Sequence, residues 1–510
     1  MYLIGIDLGT TAVKTVLFND EGDVIQSVSS EYTTEFPTEG AAEQDPSAWW
    51  NATLNTLKKL ISEQPQDRRN VAAISVSSQS PTMLPLDKNG KPLKKAMIWM
   101  DRRSDDQCKH IEELVGRERI TEITGNRADA YFMLPKLLYF RENEPELFEK
   151  TTKFLQVNGY IAYQLSGEFS IDRSSAGLTL LYDIENQNWS EELFSKLDLD
   201  ARLLGPINEP HDILGKVKRS LSEEIGFRSP PMVVAGTVDG PAAALEAGVV
   251  HSKTICDMSG TSSVIQTIVD NQFTHEKLTV LPHVIPNKSL LFGSMSSTGG
   301  SLKWFRNQLG FMERAAGDLL QKDAYYIMDK EVENLPTNPT GIIYLPYLMG
   351  ERSPLWDSKV RSMFFGITAS TTRSHLIKAI MEGVAFGLKH NIEVLQSKGL
   401  AFNEIRSVGG GSNSDIWNQL KANVSGIPLT LPETSIGAPF GDAVVAGYAC
   451  GYFSDYAEFI DKKVKVKKEY IPDPRLTEKY HELFEIYKNL YLDNKESFDK
   501  LHDIRVRLND

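Results

Sequence analysis

Residues 7–14 of the stretch IGIDLGTTAVKTVLF (residues 4–18) bring one carboxylate, one glycine, two hydroxyls and one ammonium close together: Asp7, Gly9, Thr10, Thr11 and Lys14. An apolar run at residues 4–6 ends in Asp7, the polar turn follows, and a second apolar run covers residues 16–18. That pattern predicts a β-hairpin with a small, hydroxyl-rich turn. Gly9 lets a ligand approach the backbone closely, and two hydroxyls with successive N–H groups can cradle phosphate oxygens. Asp7, at the strand end beside the cradle, is placed to hold a hydrated Mg²⁺ that accompanies the phosphates. Alone, Gly-Thr-Thr between strands is most often only a turn, so the reading depends on what the rest of the chain carries.

The chain carries an echo. Residues 254–265, TICDMSGTSSVI, repeat the order of apolar strand, Asp, small polar turn and apolar strand, with Asp257 facing Asp7 and Thr261-Ser262 facing Thr10-Thr11. The offset is near half the chain length, which implies two related domains that each open with a strand–turn–strand unit. Two further stretches bear chemistry. Residues 233–241, VVAGTVDGP, lead from a strand into an Ala-rich helix, with Asp239 just before it. Asp239 reads either as an N-cap for that helix or as a general base that takes a proton from a substrate hydroxyl. Residues 407–414, SVGGGSNS, precede a helical pattern at 416–424, so three glycines permit close approach of a flat or anionic ligand to a helix N-terminus. Neither GxxxxGK[ST] nor GxGxxG occurs in the chain.

These groups need a scaffold, and 510 residues are too many for one core. The repeat places a domain boundary between residues 246 and 247. Apolar spacing predicts helices at 48–61, 133–141, 241–246 and 374–394, and a strand at 71–76. Strands that start from hairpins and alternate with helices give an α/β fold with partly parallel sheets. Tyr480, Phe484, Tyr487 and Tyr491 form an aromatic stripe read as a helix docked on the core, and the basic run at 462–468 reads as a solvated edge. A net charge of −13 argues against a nucleic-acid surface and against an anionic membrane face. Cys108, Cys256 and Cys450 are far apart and read as reduced thiols rather than a disulfide or zinc framework. With no basic leader and no apolar run of about 18 residues, a cytoplasmic protein is expected. The sequence leaves a homodimer open.

Assembled in order, these motifs resemble the FGGY family of sugar kinases, in the actin–hexokinase superfamily, over essentially the whole chain. The first phosphate motif resembles residues 7–14, the second residues 259–263, and the adenosine motif residues 409–414. The C-terminal signature fits Ser362, Phe364, Gly366, Ile367, His375, Leu376, Ala379, Ile380 and Glu382, after the recurrent GERSPLWD at 350–357. The N-terminal signature fits Tyr131, Pro135, Lys136 and Leu137, with Tyr139 where Trp is usual. EQDP at 43–46 and WMDRR at 99–103 belong to the same likeness.

The resemblance implies an α/β fold of two ribonuclease H-like domains, residues 1–246 for sugar and 247–510 for nucleotide, flanking a catalytic cleft. It implies ATP-dependent phosphorylation of a sugar hydroxyl, with Mg²⁺ near Asp7 and Asp239 as catalytic base. Thr10, Thr11 and Lys14 would line the phosphates with Thr261 opposite, and Gly299, Gly410, Gly411 and Ser414 would flank the nucleotide. Gln79, Trp99, Tyr131 and Asp239 would meet the sugar. The chain departs from the family at Ser80-Pro81, where glycerol kinases show Arg-Glu and xylulose kinases Met-His. Glycerol is thereby disfavoured, and a ketopentose such as xylulose is the leading substrate, with gluconate and sugar alcohols as alternatives. Rival classes are a catalytically silent sugar sensor, expected to have lost Asp7 or Asp239, and an actin-like filament former or chaperone-type ATPase, expected to lack WMDRR.

Overall fold

A computed structural model describes residues 1–270, 273–433 and 436–509. The chain divides into two compact units, each drawing on several segments. The first comprises Met1–Val250, Ile268–Leu291 and Ile436–Lys463; the second comprises His251–Thr267, Phe292–Ser435 and Val464–Asp510.

At the centre of the first unit, Tyr2–Leu8 pairs antiparallel with Ala12–Asn19, Leu8 opposite Val13 and Asp7 opposite Lys14. On its other side Tyr2–Leu8 runs parallel to Val71–Ser78, with Asp7 beside Ser77. Thr237–Val238 in turn pairs with Ser77-Ser78. Three parallel strands therefore end at one edge, where Asp7, Ser77 and Asp239 emerge, and strand carboxyl ends are where open α/β sheets place their ligands. The sheet continues outward through Met232–Val234 and Ile213–Lys216 on one side and Val24–Glu31 on the other. Tyr2–Leu8 is buried on both faces, which explains its apolar run. One face is covered by the helix Pro46–Ser62, started by Asp45 capping the Ser47 N–H and by Pro46, with Trp49, Leu57 and Leu60 buried. The helix Ala438–Ala449 packs close to the same strand. A Cβ on Gly5 would lie 2.1 Å from the Pro439 carbonyl oxygen, so only glycine fits there.

The second unit repeats the plan. Thr254–Ser259 pairs antiparallel with the strand that starts at Ser263 and parallel with Glu404–Val408, which puts Asp257 beside Ser407 as Asp7 lies beside Ser77. Leu429–Pro432 and the edge strand Val466–Tyr470 complete this side. The helices Arg373–Gln396 and Pro474–Asn509 meet through Phe386 against Phe484 and Tyr487. The aromatic stripe is core, as expected: Tyr480 hydroxyl donates to Glu382, Tyr491 to Asp357 and Tyr347 to Tyr487. Residues 466–468 of the basic run lie exposed on the edge strand. The helices begin and end within a few residues of their expected bounds, at Pro46–Ser62, Met133–Asn143, Asp239–Glu246 and Arg373–Gln396. Among the described residues no helix is long and apolar enough to cross a membrane.

Asp257 differs from Asp7 in its company. Lys421 donates to it at 2.5 Å, both side chains are at most 2% exposed, and Ser259 donates at 2.7 Å. Removing one partner of a buried pair leaves an uncompensated charge. Lys421→Met is therefore expected to destabilise the protein by about 3–5 kcal/mol, read from chemical denaturation.

Candidate active site

In the first hairpin turn every carbonyl is held by the protein. Gln44 Nε2 donates to the Thr10 carbonyl at 2.7 Å, the Tyr32 N–H to that of Thr11 at 3.0 Å, and the Tyr32 hydroxyl to that of Gly9. No described residue accepts from the Thr10 or Thr11 N–H. The second turn behaves alike: Gly299 and Gly300 N–H groups take the Gly260 and Thr261 carbonyls at 3.0 and 2.8 Å, while the Thr261 and Ser262 N–H groups have no acceptor among the described residues. Carbonyls fixed inward and amides left over make an anion cradle. The same bonds consume the amides of Gly299 and Gly300, so Gly299 contributes a close backbone approach rather than a donor.

Acidic groups gather beside the first turn. Burial and the neighbouring Asp239 carboxylate push the Asp7 carboxyl up to about 7, against the pull of Lys14. Ser77 hydroxyl lies 3.5 Å from Asp7 Oδ1, at the limit of a hydrogen bond. Asp239 is the first residue of the helix Asp239–Glu246, and Val238 occupies the cap position without a side-chain bond. The capping reading of Asp239 is thus overturned: its Oδ1 accepts the adjacent Gly240 N–H, at 2.8 Å, and among the described residues no N–H further into the helix. Surrounding protein pushes its carboxyl up to about 6, although its surface stays open to solvent. Lys14 Nζ donates to the Ile436 carbonyl at 2.5 Å, and Glu246 accepts from the Gly437 N–H at 2.6 Å, so residues 436–437 are tied to both hairpin and helix.

Of the residues expected at the sugar, Trp99 bonds the turn directly and Gln79 reaches it through Gln44, while Tyr131 bonds the carbonyl of Ser80. Trp99 Nε1 donates to Thr10 Oγ1 at 3.2 Å, Gln79 Nε2 to Gln44 Oε1 at 2.6 Å, and Tyr131 hydroxyl to the Ser80 carbonyl at 3.0 Å. Gln79 Oε1 is buried with no partner among the described residues, an acceptor in want of a hydroxyl. The nearby guanidiniums are engaged: Arg103 with Asp101 and Glu43, Arg102 with Asp129 and Asp105, Arg127 with Asp129.

In the second unit Thr261, Gly299, Gly410, Gly411 and Ser414 line one cavity of about 580 Å³, as their motifs require. Gly410 belongs to a 3₁₀ turn, Gly410–Asn413, inserted before the helix Asp415–Ser425. Ser414 caps that helix and also donates to Asp329 at 2.9 Å. Leu302, Tyr325, Met328, Asp329, Met381 and Trp417 are among the other residues of its walls. None of them carries a sequence signal of its own, because each reaches the cavity from the face of an ordinary amphipathic helix.

Residues 2–246 match the N-terminal domain, and residues 258–450 the C-terminal domain, of the FGGY family of carbohydrate kinases. The chain belongs to that family, and with it to the phosphotransferases that act on a carbohydrate hydroxyl, built from α/β units of actin–hexokinase type. The chain is similar to the xylulose kinase of Bacillus subtilis (strain 168), at 31% identity over 507 residues covering 99% of each chain. Gluconokinase from the same organism is 28% identical over 491 residues, 96% of this chain and 95% of that one. The crystal structure of ligand-bound xylulose kinase from Lactobacillus acidophilus matches with a TM-score of 0.90 at 26% identity, over 98% and 99% of the two chains.

A Cβ added at Gly410 meets nothing within 4 Å, whereas one at Gly411 would lie 2.6 Å from Ser259 Cβ. Gly410→Ala should therefore leave the melting temperature unchanged while weakening adenine-nucleotide binding about tenfold, or about 1.4 kcal/mol, by calorimetry.

Proposed function

We propose that this protein transfers the γ-phosphoryl group of ATP to a hydroxyl of a ketopentose, with xylulose as the substrate. The observation that carries the reading is Asp239: a carboxylate at the end of a parallel strand, reached by solvent, raised in pKa and, among the described residues, held by local backbone N–H groups rather than by any side chain. Such a group is equipped to accept a proton from a substrate hydroxyl. Ser80-Pro81 argues against glycerol, and the relatives named above favour xylulose. A gluconate reading has the Bacillus gluconokinase in its support, but an aldonate carboxylate needs a cation, and Arg102, Arg103 and Arg127 are each already paired with carboxylates. The retained Asp7 and Asp239 weigh against the silent-sensor reading.

In this proposal Gln79 Oε1 accepts from a sugar hydroxyl, while Trp99 and Tyr131 pack along the carbon chain. Asp239 deprotonates the attacking oxygen. The N–H groups and hydroxyls of Thr10 and Thr11, with Lys14 and Thr261, receive the phosphate oxygens, and Gly299, Gly410, Gly411 and Ser414 enclose the nucleotide. Phosphoryl transfer needs positioning and charge neutralisation more than covalent help, so these fixed donors supply much of the acceleration. The described residues contain no group of three metal-ligating side chains. Mg²⁺ bound mainly by phosphate and water needs only one or two carboxylates, which Asp7 in its acidic surroundings provides. When bound there, Mg²⁺ neutralises charge on the phosphates. The division at residue 246 into a sugar half and a nucleotide half, and a cytoplasmic location, belong to the same proposal.

Asp239→Asn should keep xylulose binding and lose about 10²–10⁴-fold in kcat, measured as xylulose-dependent ADP formation. The base works only when ionised and its pKa is raised, so wild-type kcat/KM should climb through pH 6 to a plateau and fall away in acid. Turnover unchanged by the substitution, or ADP formation with gluconate in place of xylulose, would contradict the proposal.

A further inference from the structure

The helix Ala438–Ala449 carries a carboxyl that no motif predicts. Asp442 is fully buried, Ser77 hydroxyl donates to its Oδ2 at 2.7 Å, and its Oδ1 has no partner among the described residues. The Ser77 backbone N–H also faces this carboxyl. Ser77 is the strand neighbour of Asp7, so its single hydroxyl proton has two carboxyls within reach, Asp442 at 2.7 Å and Asp7 at 3.5 Å. The shorter contact is the real hydrogen bond.

The internal repeat supplies the comparison. Ser407 lies beside Asp257 as Ser77 lies beside Asp7, and among the described residues no second carboxyl accepts from it; its hydroxyl faces Asp257 at 3.3 Å, a long contact. With Lys421 and Ser259 also bonded to it, Asp257 has its oxygens taken by protein. Among the described residues Asp7 has instead only the long contact with Ser77, although burial and Asp239 make an ionised carboxylate there costly. A buried carboxyl with an orphaned oxygen is itself expensive, and the close packing of its helix on Gly5 holds it in place all the same.

We infer that Asp442 is a positioning residue: by holding the Ser77 hydroxyl proton it keeps that hydroxyl off Asp7 and leaves the Asp7 oxygens open for a hydrated divalent cation. This rests on the assignment of Asp7 proposed above. Asp442 touches neither sugar nor nucleotide in this account and acts through Ser77 alone. An uncommitted Ser77 hydroxyl would turn to Asp7, as Ser407 turns to Asp257, and compete with the water shell of the cation.

The test is Mg²⁺ affinity, by calorimetry, of the protein saturated with a non-hydrolysable ATP analogue, which needs no turnover. Asp442→Ala should weaken Mg²⁺ about tenfold, about 1.4 kcal/mol. Ser77→Ala should have no such effect, and Ser77→Ala added to Asp442→Ala should restore the affinity. Asp442→Asn, whose amide oxygen can still accept the proton, should bind Mg²⁺ like the wild type, and it carries the test if Asp442→Ala fails to fold. Unchanged affinity in Asp442→Ala, no rescue by Ser77→Ala, or a tenfold loss in Asp442→Asn would each overturn the inference. Asp7→Asn separates the two levels. If it abolishes Mg²⁺ binding while Asp442→Ala does not, only the role of Asp442 falls; if it too leaves Mg²⁺ affinity unchanged, both assignments fall.

Discussion

The active edge of the first unit depends on one close approach, the helix Ala438–Ala449 lying against the strand Tyr2–Leu8 and the helix Asp239–Glu246. Two glycines permit it. A Cβ on Gly5 would lie 2.1 Å from the Pro439 carbonyl oxygen, and one on Gly441 the same distance from that of Ala242. No L side chain fits at either contact, so the backbone spacing is set by the absence of atoms. From that stacking follow the ties of residues 436–437 to Lys14 and Glu246, and the delivery of Asp442 to Ser77. Segments far apart in sequence thus share one small volume in which Asp7, Glu246 and Asp442 all have raised pKa values, chiefly through burial.

A protein seldom collects acids in this way without a use for the strain. The repeat makes the contrast sharp. Both hairpins put an Asp on the first strand and a Ser on its parallel neighbour, yet Lys421 turns one into a satisfied core pair while the other has no such partner among the described residues. The same backbone plan therefore serves stability in one unit and, in the proposed reading, chemistry in the other. What separates them is the residue delivered by a neighbouring helix, a lysine in one case and an aspartate in the other.

How much of this was legible beforehand follows from where the information lies. The hairpins, the echo at Asp257 and the glycine run are local patterns, and the strands and cavity walls appear where those patterns put them. Thr10, Thr11, Thr261, Gly410 and Gly411 could be named because turn chemistry is written in adjacent residues. Asp239 was visible as a carboxylate at a strand–helix junction, but its two readings could be separated only by seeing Val238 in the cap position. Asp329 and Asp442 were invisible. Each is an ordinary polar residue in a helix, and its meaning comes from a partner 85 or 365 positions away. The several segments that make up each unit are hidden for the same reason, since no local pattern records which sheet a helix will join.

The central claim is that Asp7 serves chemistry at a cost to stability, unlike its counterpart Asp257. The most direct measurement takes one preparation of Asp7→Asn through a thermal melt at neutral pH and an assay of xylulose-dependent ADP formation. A carboxyl whose pKa is raised on folding destabilises the folded state at and above that pKa, so its amide should melt no lower than the wild type and possess almost no phosphoryl-transfer activity. A variant that melts well below the wild type and turns over xylulose at an undiminished rate would show Asp7 to be a structural group like Asp257, and would contradict the account.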